Sequence, residues 1–122
     1  MGKQYEREVL EKLLCIAEAK KKKGYELQKL TQEQRALIAS EGMEDLLIII
    51  DKKEMCIHAI DKLDEEFIPL YKRIQTEYEN GCLDRECTAL FEELEDDLQC
   101  IKDILTKIYE EDKENVDKLK DI

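Results

Sequence analysis

Between residues 43 and 78, Met43, Leu46, Ile50, Lys53, Ile57, Ile60, Asp64, Phe67, Tyr71, Ile74 and Tyr78 recur at alternating intervals of three and four. All but Lys53 and Asp64 are apolar or aromatic. A half-buried strand would alternate every second residue, so this spacing predicts one long amphipathic helix with a seam along it. Long helices that pack along a seam build bundles and contact surfaces, and rarely build catalytic pockets. The chain is therefore expected to work by contact.

The helix breakers divide the chain into three helices of similar length. Helix 1 is expected over residues 4–39, with an apolar stripe that includes Val9, Leu10, Leu13, Ile16, Ala17, Leu27, Leu30, Leu37 and Ile38. The stripe lapses at Lys20-Lys21-Lys22-Lys23-Gly24, yet Leu13, Ala17, Lys20, Gly24 and Leu27 keep the three-four register. One helix with a weak middle follows, since glycine costs about 1 kcal/mol against alanine in a helix interior. Gly42 marks the first turn, with Glu44 and Asp45 opposing the positive end of the next helix dipole. Helix 2 is expected over residues 43–79 and kinked near Pro69, because proline removes a backbone donor and strikes the preceding turn. Asn80-Gly81 ends it. Helix 3 should run over residues 84–109, on Cys87, Phe91, Leu94, Leu98, Ile101, Leu105 and Ile108. Beyond Tyr109 the apolar residues thin to Val116, which predicts a tail that frays toward residue 122.

Helices of about 36 residues span about 54 Å. Short turns between them favour antiparallel neighbours, so the expected fold is all-α: a single domain in which three long helices form an antiparallel up-down-up bundle. Charge fits this order. Residues 1–41 carry a net +2, residues 42–80 a net −5 and residues 81–122 a net −8. A mildly basic first helix should sit well against an acidic third, although such surface pairs orient more than they stabilise.

The same charge limits function. A net of −11 opposes binding to nucleic acid phosphates and to an anionic membrane surface. The longest apolar run, Leu46 to Ile50, is far short of the roughly 20 residues of a membrane span. The opening residues carry no apolar signal segment, so a cytoplasmic chain is expected. Five cysteines, odd in number and without a CxxC pair, point to reduced thiols. Cys15, Cys56, Cys87 and Cys100 are expected to pack as small apolar residues. Cys56 and His58, two apart on a helix, point in different directions and make a poor start for a metal site. Glu54 and His58 lie four apart, but a single histidine cannot supply the paired Glu-x-x-His motifs of a di-iron bundle. Acidic pairs such as Glu65-Glu66 and Asp96-Asp97 read as solvated faces. No phosphate loop or nucleophile elbow is present. Neither catalysis nor a cofactor is expected.

Two features exceed what a plain bundle requires. Leu46-Leu47-Ile48-Ile49-Ile50 advances 100° per residue and so puts apolar side chains all round helix 2. Some of Leu47, Ile48 and Ile49 should stay exposed or be covered by a partner, including a second copy in a homodimer. On helix 3, Ile101, Ile104, Leu105 and Ile108 span more than a narrow seam. These seven residues are the candidate partner-binding set.

The stretch from Glu33 to Glu54, EQRALIASEGMEDLLIIIDKKE, resembles the FlgN family of flagellar export chaperones. The likeness continues through Ile57 and Ile60-Asp61-Lys62-Leu63-Asp64-Glu65-Glu66-Phe67, and extends more loosely over residues 5–109. One departure is Gly42, where aspartate or asparagine is expected as the helix cap, although glycine is tolerated there. The resemblance implies a cytoplasmic chaperone for the hook-associated subunits of the hook-filament junction. Such a protein binds the helical terminal segment of a subunit, blocks premature assembly and delivers it to the export apparatus. It also implies client contacts in the C-terminal region, here helix 3. The reading from the residues alone leaves a second possibility open: a structural coiled coil that self-associates through the same stripes.

Overall fold

The computed structural model describes residues 2–121 and, for side chains, residues 4–121. It is all-α: α1 spans Gly2–Ser40, α2 Met43–Glu79 and α3 Arg85–Lys120. No strand occurs among the described residues. Ion pairs record the topology. Arg7–Glu86, Lys21–Asp97 and Arg35–Glu114 join α1 to α3 with numbers that rise together, so these helices are parallel. Lys12–Glu66 and Lys20–Asp64 join α1 to α2, and residue 34 meets residue 53, so that pair is antiparallel. The bundle is up-down-up. In each of these five ion pairs α1 supplies the cation, as its small positive charge requires.

Helix α1 is the spine, packed closely against both of the others, while α2 and α3 approach each other mainly through side chains. The core divides in two along it. One half joins Leu10 and Leu13 of α1 to Phe67 and Ile74 of α2 and to Phe91 and Leu94 of α3. There Tyr78 stacks on Phe91 with centroids 4.3 Å apart, and Tyr71 stacks on both Phe67 and Phe91. Tyr71 also donates to Glu95 at 2.6 Å. Burial, then that hydrogen bond, raises the Tyr71 phenol above its ordinary range. The other half joins Leu27 and Leu30 to Ile49, Cys56 and Ile60, and to Ile104 and Ile108.

The two halves meet at the lysine run. Lys20 reaches Asp64 at 2.6 Å and Lys21 reaches Asp97 at 3.1 Å, so α1 is tied to both neighbours where it lacks apolar side chains. Gly24 is buried, and a Cβ there would meet Ile104 Cγ2 at 3.4 Å. The stripe lapses because ion pairs and a close helix approach replace it. The helix itself is unbroken.

Both turns use the same closure. At the first, Gly42 N–H donates to Leu37 C=O at 2.9 Å and Glu41 N–H to Ile38 C=O at 3.2 Å. At the second, Cys82 N–H donates to Glu77 C=O and Gly81 N–H to Tyr78 C=O. These are Schellman closures, whose pivot takes a left-handed backbone. The second pivot is Gly81, with φ of 69°; the first is Glu41, with φ of 59°. The helices that follow differ likewise. Asp84 caps α3 by accepting from Cys87 N–H at 2.8 Å, whereas Gly42 offers α2 no side-chain cap.

Helix α2 continues through Pro69, which sits on the exposed face, where water can satisfy the carbonyl left without a donor. Two expectations need correction or refinement. Helix α3 does not thin out after Tyr109 but continues to Lys120. What holds its last third is polar: Asn115 is only 1% exposed. Of the cysteines, Cys56 and Cys87 are buried and Cys100 is half-buried, but Cys15 is exposed.

Candidate partner-binding surface

Lys53 and Asp64, the two polar residues in the α2 seam, both find partners. Asp64 accepts from Lys20. Lys53 is buried, donates to Gln34 Oε1 of α1 at 2.7 Å and pairs with Asp112 of α3. Asn115 joins the same cluster: its Nδ2 donates to Thr31 C=O at 3.3 Å and to Gln34 Oε1 at 3.5 Å. Thr31 in turn donates its hydroxyl to Leu27 C=O at 2.8 Å. The cluster thus ties all three helices at one level. Its Asn115 Oδ1 is buried without a hydrogen-bond partner, which costs on the order of 1–3 kcal/mol. Sequence reading had only the anomaly of Lys53 to reveal this node, because Thr31, Gln34, Asp112 and Asn115 look like ordinary polar residues in charged stretches.

An open groove lies above that node, between α2 and α3. One hollow of about 390 Å³ has Ile50 and Ile57 on its α2 wall, Val116 and Leu119 on its α3 wall, and Gln34 of α1 at its floor. Along α3 it is continued by hollows of about 380 Å³ beside Tyr109 and Val116 and about 420 Å³ beside Leu98, Leu105 and Tyr109. Tyr109 is 70% exposed and Val116 51%. A second groove runs between α1 and α2 on the other side of α2. It comprises a hollow of about 430 Å³ beside Leu37 and Ile48 and one of about 680 Å³ beside Leu30, Met55 and Cys56. Burial, and then nearby Glu26, raises the Cys56 thiol above its ordinary value, so this cysteine lines the groove as an unreactive apolar group.

The seven residues singled out by sequence fall in different places. Leu47 and Ile48 are 65% and 53% exposed. Ile48 lines the α1–α2 groove, and Leu105, half-buried, lines the α2–α3 groove. Ile104 and Ile108 pack in the second core half, as does most of Ile49, while Ile101 packs in the first. Ile49, Ile101, Ile104 and Ile108 are buried in the bundle interior, with Ile49 and Ile101 also lining hollows of the two grooves. The helix 3 stripe is wide because α3 faces α1 with one edge and the α2 side with the other. Sequence reading missed Ile57, Met55, Tyr109 and Val116, which are exposed beside the grooves. Met55, Tyr109 and Val116 are apolar residues off the predicted stripes, whereas Ile57 stands in the α2 seam itself and reads as interior.

The arrangement offers apolar grooves with charged rims and little else. Among the described residues no group of three or more His, Cys, Asp or Glu side chains is placed to hold a metal ion. No helix is long and apolar enough to cross a membrane. No family model, curated protein or solved structure matches the chain.

Proposed function

We propose that this chain is a FlgN-like export chaperone of the cytoplasm: a non-catalytic protein that holds a helical terminal segment of a hook-associated flagellar subunit in a non-assembling state. The observation that carries this reading is the pair of open apolar grooves on an otherwise heavily charged bundle. A groove between helices takes an amphipathic helix by burying its apolar stripe, and needs no catalytic group to do so. The FlgN-like run from Glu33 to Phe67 forms the first turn and two-thirds of α2, and so builds walls of both grooves. A released client would pass to the export apparatus.

Titration with C-terminal peptides of candidate hook-associated subunits tests the reading by fluorescence anisotropy. A helix buried in such a groove removes about 1,200 Å² or more of total surface, the lower range of specific interfaces. Micromolar or tighter binding at fixed stoichiometry is expected, with slower polymerisation of the intact client. Absence of binding to every such peptide, together with normal flagella in a deletion strain, overturns it.

Leu47 and Ile48 favour a second reading, a self-associating coiled coil, because they stay exposed side by side on α2. Sedimentation of the wild type against Leu47→Lys with Ile48→Lys separates the two. Self-association lost in the double variant, without any preference for a foreign helix, supports the coiled coil.

A further inference from the structure

The α2–α3 groove has rims of opposite net sign. On α3, Lys102, Lys113 and Lys120 line its hollows, spaced eleven and seven apart and therefore on one helix face, and outnumber the exposed Asp117 beside them. On α2, Glu54 lines the groove, and Asp61, exposed two turns further on, shares its face. Among the described residues none of these charges forms an ion pair within the chain. The lysine hollows adjoin the one that Glu54 lines through shared Tyr109, Asp112 and Val116, and the charges of both rims stay open. This contrasts with the floor, where Lys20–Asp64 and Lys53–Asp112 are already paired.

Resting on the helix-binding reading, we propose that this groove receives one amphipathic helix of a partner protein, and that its rims set the direction in which that helix lies. From Leu98 to Leu119 the α3 wall runs 22 residues, or about 33 Å at 1.5 Å per residue. A partner helix of about 20 residues fills it. Its apolar stripe lies over Ile57, Leu105, Tyr109 and Val116. Its acidic flank lies against the lysines of α3 and its basic flank against the carboxylates of α2. Turning a helix end for end keeps its stripe down but exchanges its flanks, so one direction matches both rims and the other opposes both. A second copy of this chain is the poorer occupant. Two grooves face to face leave a channel between them, and each copy brings a net charge of −11.

The test uses two synthetic 21-residue peptides of identical composition. Each has a leucine stripe at three-four spacing, arginine along one flank and glutamate along the other, and the second peptide exchanges the flanks. Each carries a nitroxide at its N-terminus and is titrated into the ¹⁵N-labelled protein. Amide shifts clustered around Ile57, Leu105, Tyr109 and Val116 are expected for both. One peptide should broaden amides near Leu98 and the other those near Leu119, with the contrast fading at high salt. Val116→Glu, at a half-exposed position, should weaken both peptides about tenfold with helicity unchanged. The same end broadened by both peptides, or both ends equally, overturns the orienting rims. Shifts centred on Ile48 and Met55 would place helix capture in the α1–α2 groove, rejecting this site while leaving the chaperone reading intact. Shifts in the α2–α3 groove that follow protein concentration without peptide would make the occupant a second copy and overturn the proposal. No response to any amphipathic helix at either groove rejects both readings together.

Discussion

The two ends of this bundle are built on different terms. At the Asn80-Gly81 end the helices close over stacked aromatics, the turn pivots on a glycine and Asp84 caps the next helix. At the Gly42 end the interior holds Lys53 and Asn115, the turn pivots on a glutamate and α2 starts without a side-chain cap. Every local choice at the first end agrees with the fold. At the second end several choices cost stability, and there the open apolar grooves lie. Departures from local consistency concentrate where a protein has another task than folding. On the function proposed above, the contrast gives anchoring to one end and contact to the other.

The largest effect should come from the anchoring end. Phe91 is 2% exposed and stacks on two tyrosines. Phe91→Ala should cost about 3–5 kcal/mol, the usual range for a buried phenylalanine. Urea denaturation followed by circular dichroism measures it. A loss below about 1 kcal/mol would mean that this end is not the anchor.

Next comes the polar node, where the two halves of one ion pair should behave unequally. Lys53 is 8% exposed on its side chain, whereas Asp112 is 38% exposed. Asp112→Ala leaves a buried ammonium with only Gln34 to receive it, and should cost about 2–4 kcal/mol. Lys53→Met keeps most of the packed stem and leaves a carboxylate that water can reach, so it should cost less. Equal losses in the two variants would show that the node acts through packing and not through a buried charge.

Why this node escaped sequence reading is a matter of what periodicity reports. Apolar spacing gave all three helices and both turns, because Gly42 and Asn80-Gly81 interrupt stripes that are otherwise regular. It also flagged Lys53 as an exception in the seam. It could not tell that Asn115 faces inward, since the hydrogen bonds to α1 that hold it there link residues more than eighty apart in sequence. The same spacing made the broad stripe of Ile101, Ile104 and Ile108 look like spare surface. A helix packed against a spine on one edge and a groove on the other needs such a stripe for its own core. The grooves arise from the distance between α2 and α3, which no local pattern encodes.

Alkali should loosen the anchoring end. Burial foremost, and then the hydrogen bond with Asp84, pushes the Cys87 thiol up to about 11 from an ordinary 9.0. A folded-state value above the unfolded one favours the protonated form in the fold. The contribution is therefore complete below pH 9 and is lost as pH rises through 11. A Cys87→Ala variant should lose less stability between pH 9 and pH 11 than the wild type does, by about 2 kcal/mol at most. An unchanged pH profile in that variant would remove Cys87 as the cause. The upward displacement of Tyr71 acts in the same direction at higher pH.

The smallest effect is the most direct comparison of the two ends, because it exchanges their pivots. Glu41 and Gly81 hold the same place in the same closure, with φ of 59° and 69°. A side chain in that left-handed region costs about 1–2 kcal/mol, and glycine escapes the cost at some expense in unfolded-chain entropy. Glu41→Gly should therefore stabilise the protein by about 1 kcal/mol, and Gly81→Glu should destabilise it by about the same amount. No heavy atom lies within 4 Å of where a Cβ would stand at Gly81, so the second change reports backbone strain and not a clash. Thermal melts of the two variants against the wild type provide the measurement. If Glu41→Gly also leaves peptide binding in the grooves unchanged, the strain at the first turn is a tolerated cost of sequence. If stabilisation comes with weaker binding, the strained turn is part of how the contact end keeps its grooves open.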